Sequence, residues 1–230
     1  MATQKEIEYA EWKKNIISKQ RFHLWKKEIY EHRGLIMISI CLLILSLILE
    51  YISGNYVQRV GEVTSPDIIL DHIGPIHDIG FIKTRFIFVY GYTFIVALLF
   101  LYPLFFDTKK LHQAISQFSL IVIMRSFFIS LTHLKNPVTA VPVHFPSIFS
   151  NLAFENDLFF SGHTAVPFMA FLVFKDSKIR YVFLAASIIL GATALIAHRH
   201  YSIDVFSAFF IAYGTFKIGE WAFGKIEKNY

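Results

Sequence analysis

The sequence predicts an all-α, polytopic integral membrane protein with six transmembrane helices, and three observations carry that reading. Hydrophobic residues make up 55% of the 230-residue chain, aromatic residues 17%, and mean hydropathy is +0.50, above the range of a soluble domain of this size. The apolar residues gather into runs close to the roughly 20 residues that a bilayer core requires. Lys and Arg fall mainly in the segments between those runs, and unevenly on the two sides.

Residues 1–33 form an N-terminal segment that mixes Lys and Glu too densely for a cleaved secretory signal. Within it Tyr9, Trp12, Ile16 and Ile17 recur at helical spacing among Lys13, Lys14, Lys19 and Arg21. That is the pattern of an amphipathic helix on a membrane surface, or of a frayed charged tail. A transmembrane catalytic domain is expected over residues 34–219. Its first span, Leu35 to about Ile52, holds the single cysteine, Cys41, so no intrachain disulfide can form. Glu50 falls near the far end of this span, where a carboxylate reads as interfacial. Residues 53–80 contain Gly54, Gly61, Pro66, Gly74 and Pro75, and read as a loop holding a short surface helix.

The second span, Phe86 to Phe106, ends in the charged turn Asp107-Thr108-Lys109-Lys110. The third, about Ala114 to Leu134, carries Arg125 in its middle. A guanidinium there costs about 2.5–3.5 kcal/mol on insertion scales, so it must face a polar cavity or an anion. Residues 135–157 hold Pro137, Pro142 and Pro146 among Val, Phe and Ile, too apolar for a solvated linker, and are expected to fold back over the membrane face as a lid. The fourth span, His163 to Phe174, is short. Spans five (Tyr181 to Ala197) and six (about Ile203 to Ile218) follow a basic turn, and residues 220–230 form a charged tail.

Six spans put both termini on one side. That side carries 16 Lys or Arg and the opposite side 5, with Arg125 between them, so the termini are expected to be cytoplasmic. The same asymmetry accounts for the pI near 9.2 without a nucleic-acid partner. It also places two polar islands on the non-cytoplasmic face, Asp157 to Thr164 and His198 to Asp204, together with Pro75-Ile76-His77-Asp78.

These islands have the makings of a phosphoryl-transfer site. His200 and Asp204 are spaced i, i+4, one helical turn apart, so the carboxylate can fix one ring nitrogen and leave the other free to attack. Ser161-Gly162-His163 at a helix start offers unobstructed backbone N–H groups, a hydroxyl and a second imidazole, a set able to cradle an anion. His163 can protonate a leaving alkoxide. Arg125 offers a bidentate cation for phosphate oxygens. The histidines His133, His144 and His198 read as interfacial or packing residues.

In these residues the chain resembles the type 2 phosphatidic acid phosphatase superfamily, and within it most closely the sphingomyelin synthase branch. Asp157 to Thr164 follow that branch's D-x-x-x-S-G-H-T motif. His200-Tyr201-Ser202-Ile203-Asp204-Val205 follow H-Y-T-x-D-V with Ser for Thr. Arg125 and Thr132 fit its R-x6-T element, and Pro75 to Asp78 match P-L-P-D in part. The phosphatases of the superfamily carry K-x6-R-P and an arginine six residues before the nucleophilic histidine, where this chain has Arg125, Thr132 and Ala194. Glu155-Asn156 replaces the Cys-Gly of the synthases.

The resemblance implies that His200 forms a phosphohistidine, Asp204 orients it and His163 is the general acid. It also implies that Arg125, Asp157, Ser161, Gly162, Thr164 and Tyr201 bind substrate without metal or cofactor. The implied activity is transfer of a phosphocholine- or phosphoethanolamine-type headgroup phosphate from a phospholipid donor to a lipid alcohol, with water as the alternative acceptor. Two rival readings are a metal-dependent hydrolase with His163, His200 and Asp204 as ligands, and a transporter or scaffold on the same fold.

Overall fold

The computed structural model describes residues 22–61, 64–79, 82–143, 154 and 156–227, with side chains up to residue 224. The N-terminal pattern around Tyr9 to Ile17, and the lid residues His144 to Ala153 and Glu155, lie outside the described residues. Helix α1 covers residues 22–31. It is followed by α2 (Arg33–Val60) and α3 (Ile68–His72), then by a hairpin of β1 (Asp78–Ile79) and β2 (Ile82–Lys83). The short α4 (Thr84–Phe86) runs through a π-helical stretch, Ile87–Gly91, into α5 (Tyr92–Phe106) as one rod. After it come α6 (Leu111–Thr132), α7 (Gly162–Val173), α8 (Arg180–Ile196) and α9 (Ser202–Glu227).

Among the described residues three rods are long and apolar enough to cross a bilayer: Arg33–Val60, Thr84–Phe106 and Thr108–Thr132. Burial on α2 is inverted relative to a soluble helix. Its inward face is Ser39, Ser46, Glu50, Ser53, Gly54 and Val57, while Met37, Ile44, Leu45, Ile48, Tyr51 and Ile52 face outward. Small and polar residues inside with aliphatics outside is the arrangement that lipid demands, because hydrocarbon offers no drive to bury Leu or Ile. Small residues let α2 lie close along α6, and the Ser39 hydroxyl donates across to the His112 carbonyl at 3.0 Å. Cys41 sits on the outward face.

α6 is the central post, packed against α2, α5, α7 and α9. Around it Leu99, Phe118, Ile121, Phe160, Met169, Phe174, Phe183 and Ala212 form the main apolar core. Gln117 of α6 donates to the Phe216 carbonyl at 3.1 Å, and α9 passes so close there that a Cβ on Gly219 would lie 2.4 Å from the Gln117 amide nitrogen.

One element differs from the sequence expectation and another meets it, and both matter for the site. The first helix continues to Val60, so Glu50 is not at its end but more than two turns inside, 8% exposed. The fourth apolar helix is short, as expected: it starts at Gly162 and has 12 residues, about 18 Å against the roughly 30 Å hydrocarbon core. Its N-terminus therefore lies within the protein, where α6, α8 and α9 surround it.

Candidate active site

The catalytic turn is made by the way α8 stops and α9 starts. His198 adopts the left-handed conformation (φ 53°), which reverses the chain after α8. Its ring then pins the turn, with one nitrogen 2.6 Å from the Thr139 hydroxyl and the other 2.6 Å from the Ile73 carbonyl. This histidine is a packing residue, as its surroundings in the sequence suggest. Residues 135–141 of the expected lid lie against the same turn: Val141 N–H donates to the Ala197 carbonyl at 2.9 Å and the Tyr201 hydroxyl donates to the Lys135 carbonyl at 2.9 Å.

His200 sits before α9, not on it, and Asp204 is the third residue of the helix. The pair still meets, because Asp204 reaches back as an N-terminal capping carboxylate does. Its Oδ2 accepts from Tyr201 N–H at 3.0 Å and lies 3.3 Å from His200 Nδ1. One helix-capping interaction thus fixes the imidazole. With Nδ1–H donated to the carboxylate, Nε2 keeps its lone pair. A second carboxylate, Asp67, closes the start of α9 from outside. It accepts from Ser202 N–H and from Ile69 and Leu70 N–H of α3. Burial pushes the Asp67 carboxyl up, but these backbone N–H groups outweigh it and hold it below the ordinary aspartate value.

The two polar islands are joined by main chain. Ser161 N–H donates to the Asp204 carbonyl at 3.0 Å, which places the first turn of α7 beside the histidine–aspartate pair. His163, the second residue of α7, is sandwiched between Phe88 (centroids 3.7 Å apart) and Tyr92 (4.2 Å). Its Nε2 is 3.2 Å from the Phe88 carbonyl, a contact that requires the hydrogen on that nitrogen. The His163 and His200 rings are 6.3 Å apart. The hydroxyls of Ser161 and Thr164 and the second oxygen of Asp204 are buried with no hydrogen-bond partner among the described residues. Thr164 abuts Gly191 of α8, where a Cβ would approach its hydroxyl to 2.8 Å.

Arg125 and Asp157 come together with each other. One guanidinium nitrogen contacts Glu50 at 2.5 Å and Asp157 at 2.8 Å, the second donates to the Asp157 carbonyl, and Nε donates to the Phe160 carbonyl at 3.3 Å. Glu50 also accepts from the Ser126 hydroxyl at 2.8 Å. Every nitrogen of the guanidinium is thus committed to protein, and two of its acceptors are backbone carbonyls of the segment that leads into Ser161. Gly162 passes directly over it: a Cβ there would lie 3.4 Å from Arg125 Nε. Thr132, the other half of the R-x6-T spacing, bonds back to Phe128 of its own helix.

Sequence reasoning missed Glu50, Phe88 and Tyr92 as site components. The signal for Glu50 was present: a lone intramembrane arginine calls for a carboxylate, and Glu50 lies in the neighbouring apolar run. No comparable signal marks Phe88 or Tyr92 among 25 Phe and 11 Tyr.

This geometry can be set beside known proteins. Residues 156–221 match the family model of the PAP2 superfamily C-terminal domain. The matched stretch contains α7, α8 and most of α9, and with them every member of the two polar islands, including Asp157, Ser161, His163, His200 and Asp204. It supports placement in the PAP2 superfamily and with it phosphatase-type chemistry on lipid phosphates. The helices before residue 156, including those that carry Glu50, Tyr92 and Arg125, are outside the PAP2 match. No curated protein matches the chain.

Proposed function

We propose that the protein is a six-span membrane phosphotransferase of the synthase-like kind, with both termini cytoplasmic and the site on the opposite face. It moves a phospholipid headgroup phosphate to a lipid alcohol. The observation that carries this reading is the joined pair of islands: His200 held by Asp204, with His163 on the helix whose first turn is bonded to the Asp204 carbonyl. His200 Nε2 attacks phosphorus, the bond to the diacylglycerol oxygen breaks, and His163, as imidazolium, gives that oxygen the proton on Nδ1, the nitrogen not bonded to Phe88. An acceptor hydroxyl then attacks the phosphohistidine, the P–N bond breaks, and His163 takes up the hydroxyl proton.

Gly162 and His163 N–H, which open α7 and have no helical acceptor, cradle the phosphate oxygens with the Ser161 and Thr164 hydroxyls. In this reading Arg125 and Asp157 hold the Ser161 turn in place, and Tyr201 braces it against Lys135. The short α7 serves as a span completed by the non-helical stretch before Ser161. Phosphocholine- and phosphoethanolamine-type donors come from the synthase resemblance alone.

The same machinery with water as acceptor is a phosphatase or phospholipase C-like hydrolase, and the PAP2 match is compatible with either acceptor. Purified protein in vesicles, given labelled phospholipid with and without ceramide or diacylglycerol, separates the two. A labelled lipid product that depends on the added alcohol supports transfer. Release of the free headgroup phosphate with no lipid product rejects it.

A further inference from the structure

A separate cavity of about 270 Å³ lies beside the catalytic turn, lined by His77, Asp78, Lys83, Arg85, Val141 and Pro142. The β1–β2 hairpin forms one wall. Its register sets Asp78 opposite Lys83, so those two charges offset each other across the strands and Arg85 supplies the excess. None of the ion pairs among the described residues involves Lys83 or Arg85.

The walls of this cavity are tied to the site. Ile76 N–H donates to the Ile196 carbonyl at 2.8 Å and Val141 N–H to the Ala197 carbonyl at 2.9 Å, just before the turn that carries His200. Arg85 precedes by three residues Phe88, whose carbonyl holds His163. Three residues of helix are about 5 Å along its axis. The cavity thus sits at the outer end of the rod that also lines the catalytic pair, where the non-lipid end of a bound phospholipid would extend.

Charge decides what fits there. Arg125 is already shared between two carboxylates and two backbone carbonyls, so it has no free positive charge for a second anionic group. Lys83 and Arg85 can attract one. Among the described residues no Phe, Tyr or Trp lines the cavity, whereas quaternary ammonium groups are bound on aromatic faces. The excess positive charge of Arg85 would in addition repel choline.

We propose that this cavity is a headgroup subsite for a phosphate-class anion carried on the headgroup beyond the reacting phosphate, and that it selects against choline. The proposal rests on the phosphoryl-transfer reading of His200 and narrows its donor class. The full-length protein is assayed with short-chain phosphatidylinositol phosphate and with phosphatidylcholine of the same chains, as wild type and as the K83Q/R85Q variant. The wild type should prefer the phosphorylated headgroup, and the ratio of kcat/KM for the two donors should fall about tenfold in the variant. An unchanged ratio overturns the subsite.

Inorganic phosphate is added as a competitor. If it inhibits the wild type and spares the variant while the phosphorylated headgroup gains no advantage, the cavity serves free phosphate and the headgroup assignment is overturned. If the wild type turns over neither donor, the catalytic reading fails by itself. The cavity is then judged by equilibrium binding, which should weaken about tenfold in the variant for the inositol phosphate lipid only. Equal binding of that lipid by wild type and variant overturns the proposal.

Discussion

Replacing Arg125 by Gln distinguishes a clamp from a substrate ligand. In the structure the guanidinium, 12% exposed, serves Glu50, Asp157 and two backbone carbonyls. Arg125→Gln leaves the buried Glu50 and the partly buried Asp157 without their shared cation. Breaking a buried pair in this way costs about 3–5 kcal/mol. For a chain of this size each kcal/mol moves the midpoint by about 2–4 °C, so a fall of roughly 10 °C is expected. Adding Glu50→Gln to Arg125→Gln removes one of the orphaned charges and should recover about 1–3 kcal/mol, a non-additivity that only contacting groups show. Arg125→Lys should not rescue, because an ammonium on a flexible stem cannot serve four acceptors in three directions. The assay is the apparent thermal midpoint of the full chain in one detergent at one heating rate, since membrane proteins often unfold irreversibly, with lipid turnover measured in parallel. If Arg125→Gln loses turnover but melts with the wild type, Arg125 is a substrate ligand and the clamp is wrong.

Two further predictions concern how the catalytic turn is held. Asp67→Ala removes the acceptor that closes the start of α9 and should cost about 1–2 kcal/mol. Because the Asp67 carboxyl is held below its ordinary value, its contribution is complete above the unfolded carboxyl pKa of about 3.9 and is lost as pH falls through the folded value. The gap in midpoint between wild type and Asp67→Ala should therefore be constant at neutral pH and close in acid; a gap independent of pH contradicts the assignment. Gly191→Ala drives a methyl to 2.8 Å from the Thr164 hydroxyl and 3.2 Å from Val205, and overpacking of this kind costs about 1–3 kcal/mol. It should lower both midpoint and turnover, whereas Gly214→Ala in the interior of α9, with nothing within 4 Å, should lower neither, because Ala suits a helix better than Gly.

The helices were legible in the sequence because lipid-facing apolar runs are long and unbroken. What was not legible followed from where those helices end. The Leu35 run looks finished at Ile52 because Ser53, Gly54 and Asn55 are polar, yet on α2 Ser53 and Gly54 are inward-facing, and the helix continues to Val60. That extension converts Glu50 from an interfacial group into the partner of Arg125. The i, i+4 spacing of His200 and Asp204 brought the right residues together for a partly wrong reason: His200 precedes the helix, and the contact is made by a capping carboxylate. The Ser161–Asp204 main-chain bond and the stacking of His163 between Phe88 and Tyr92 depend on tertiary packing, to which spacing along the chain gives no access. The β1–β2 hairpin was read as loop, since two-residue strands leave no periodicity to detect.

The account stands on His200 as the attacking nitrogen. The direct measurement is brief incubation of the purified full chain with lipid donor labelled in its phosphate, a quench in alkali, and mapping of the bound label. Label that is stable in base, labile in acid, located on His200, absent from His200→Ala and formed more slowly in His163→Asn is the predicted result. No protein-bound label in a preparation that turns over, or label that survives His200→Ala, would contradict it.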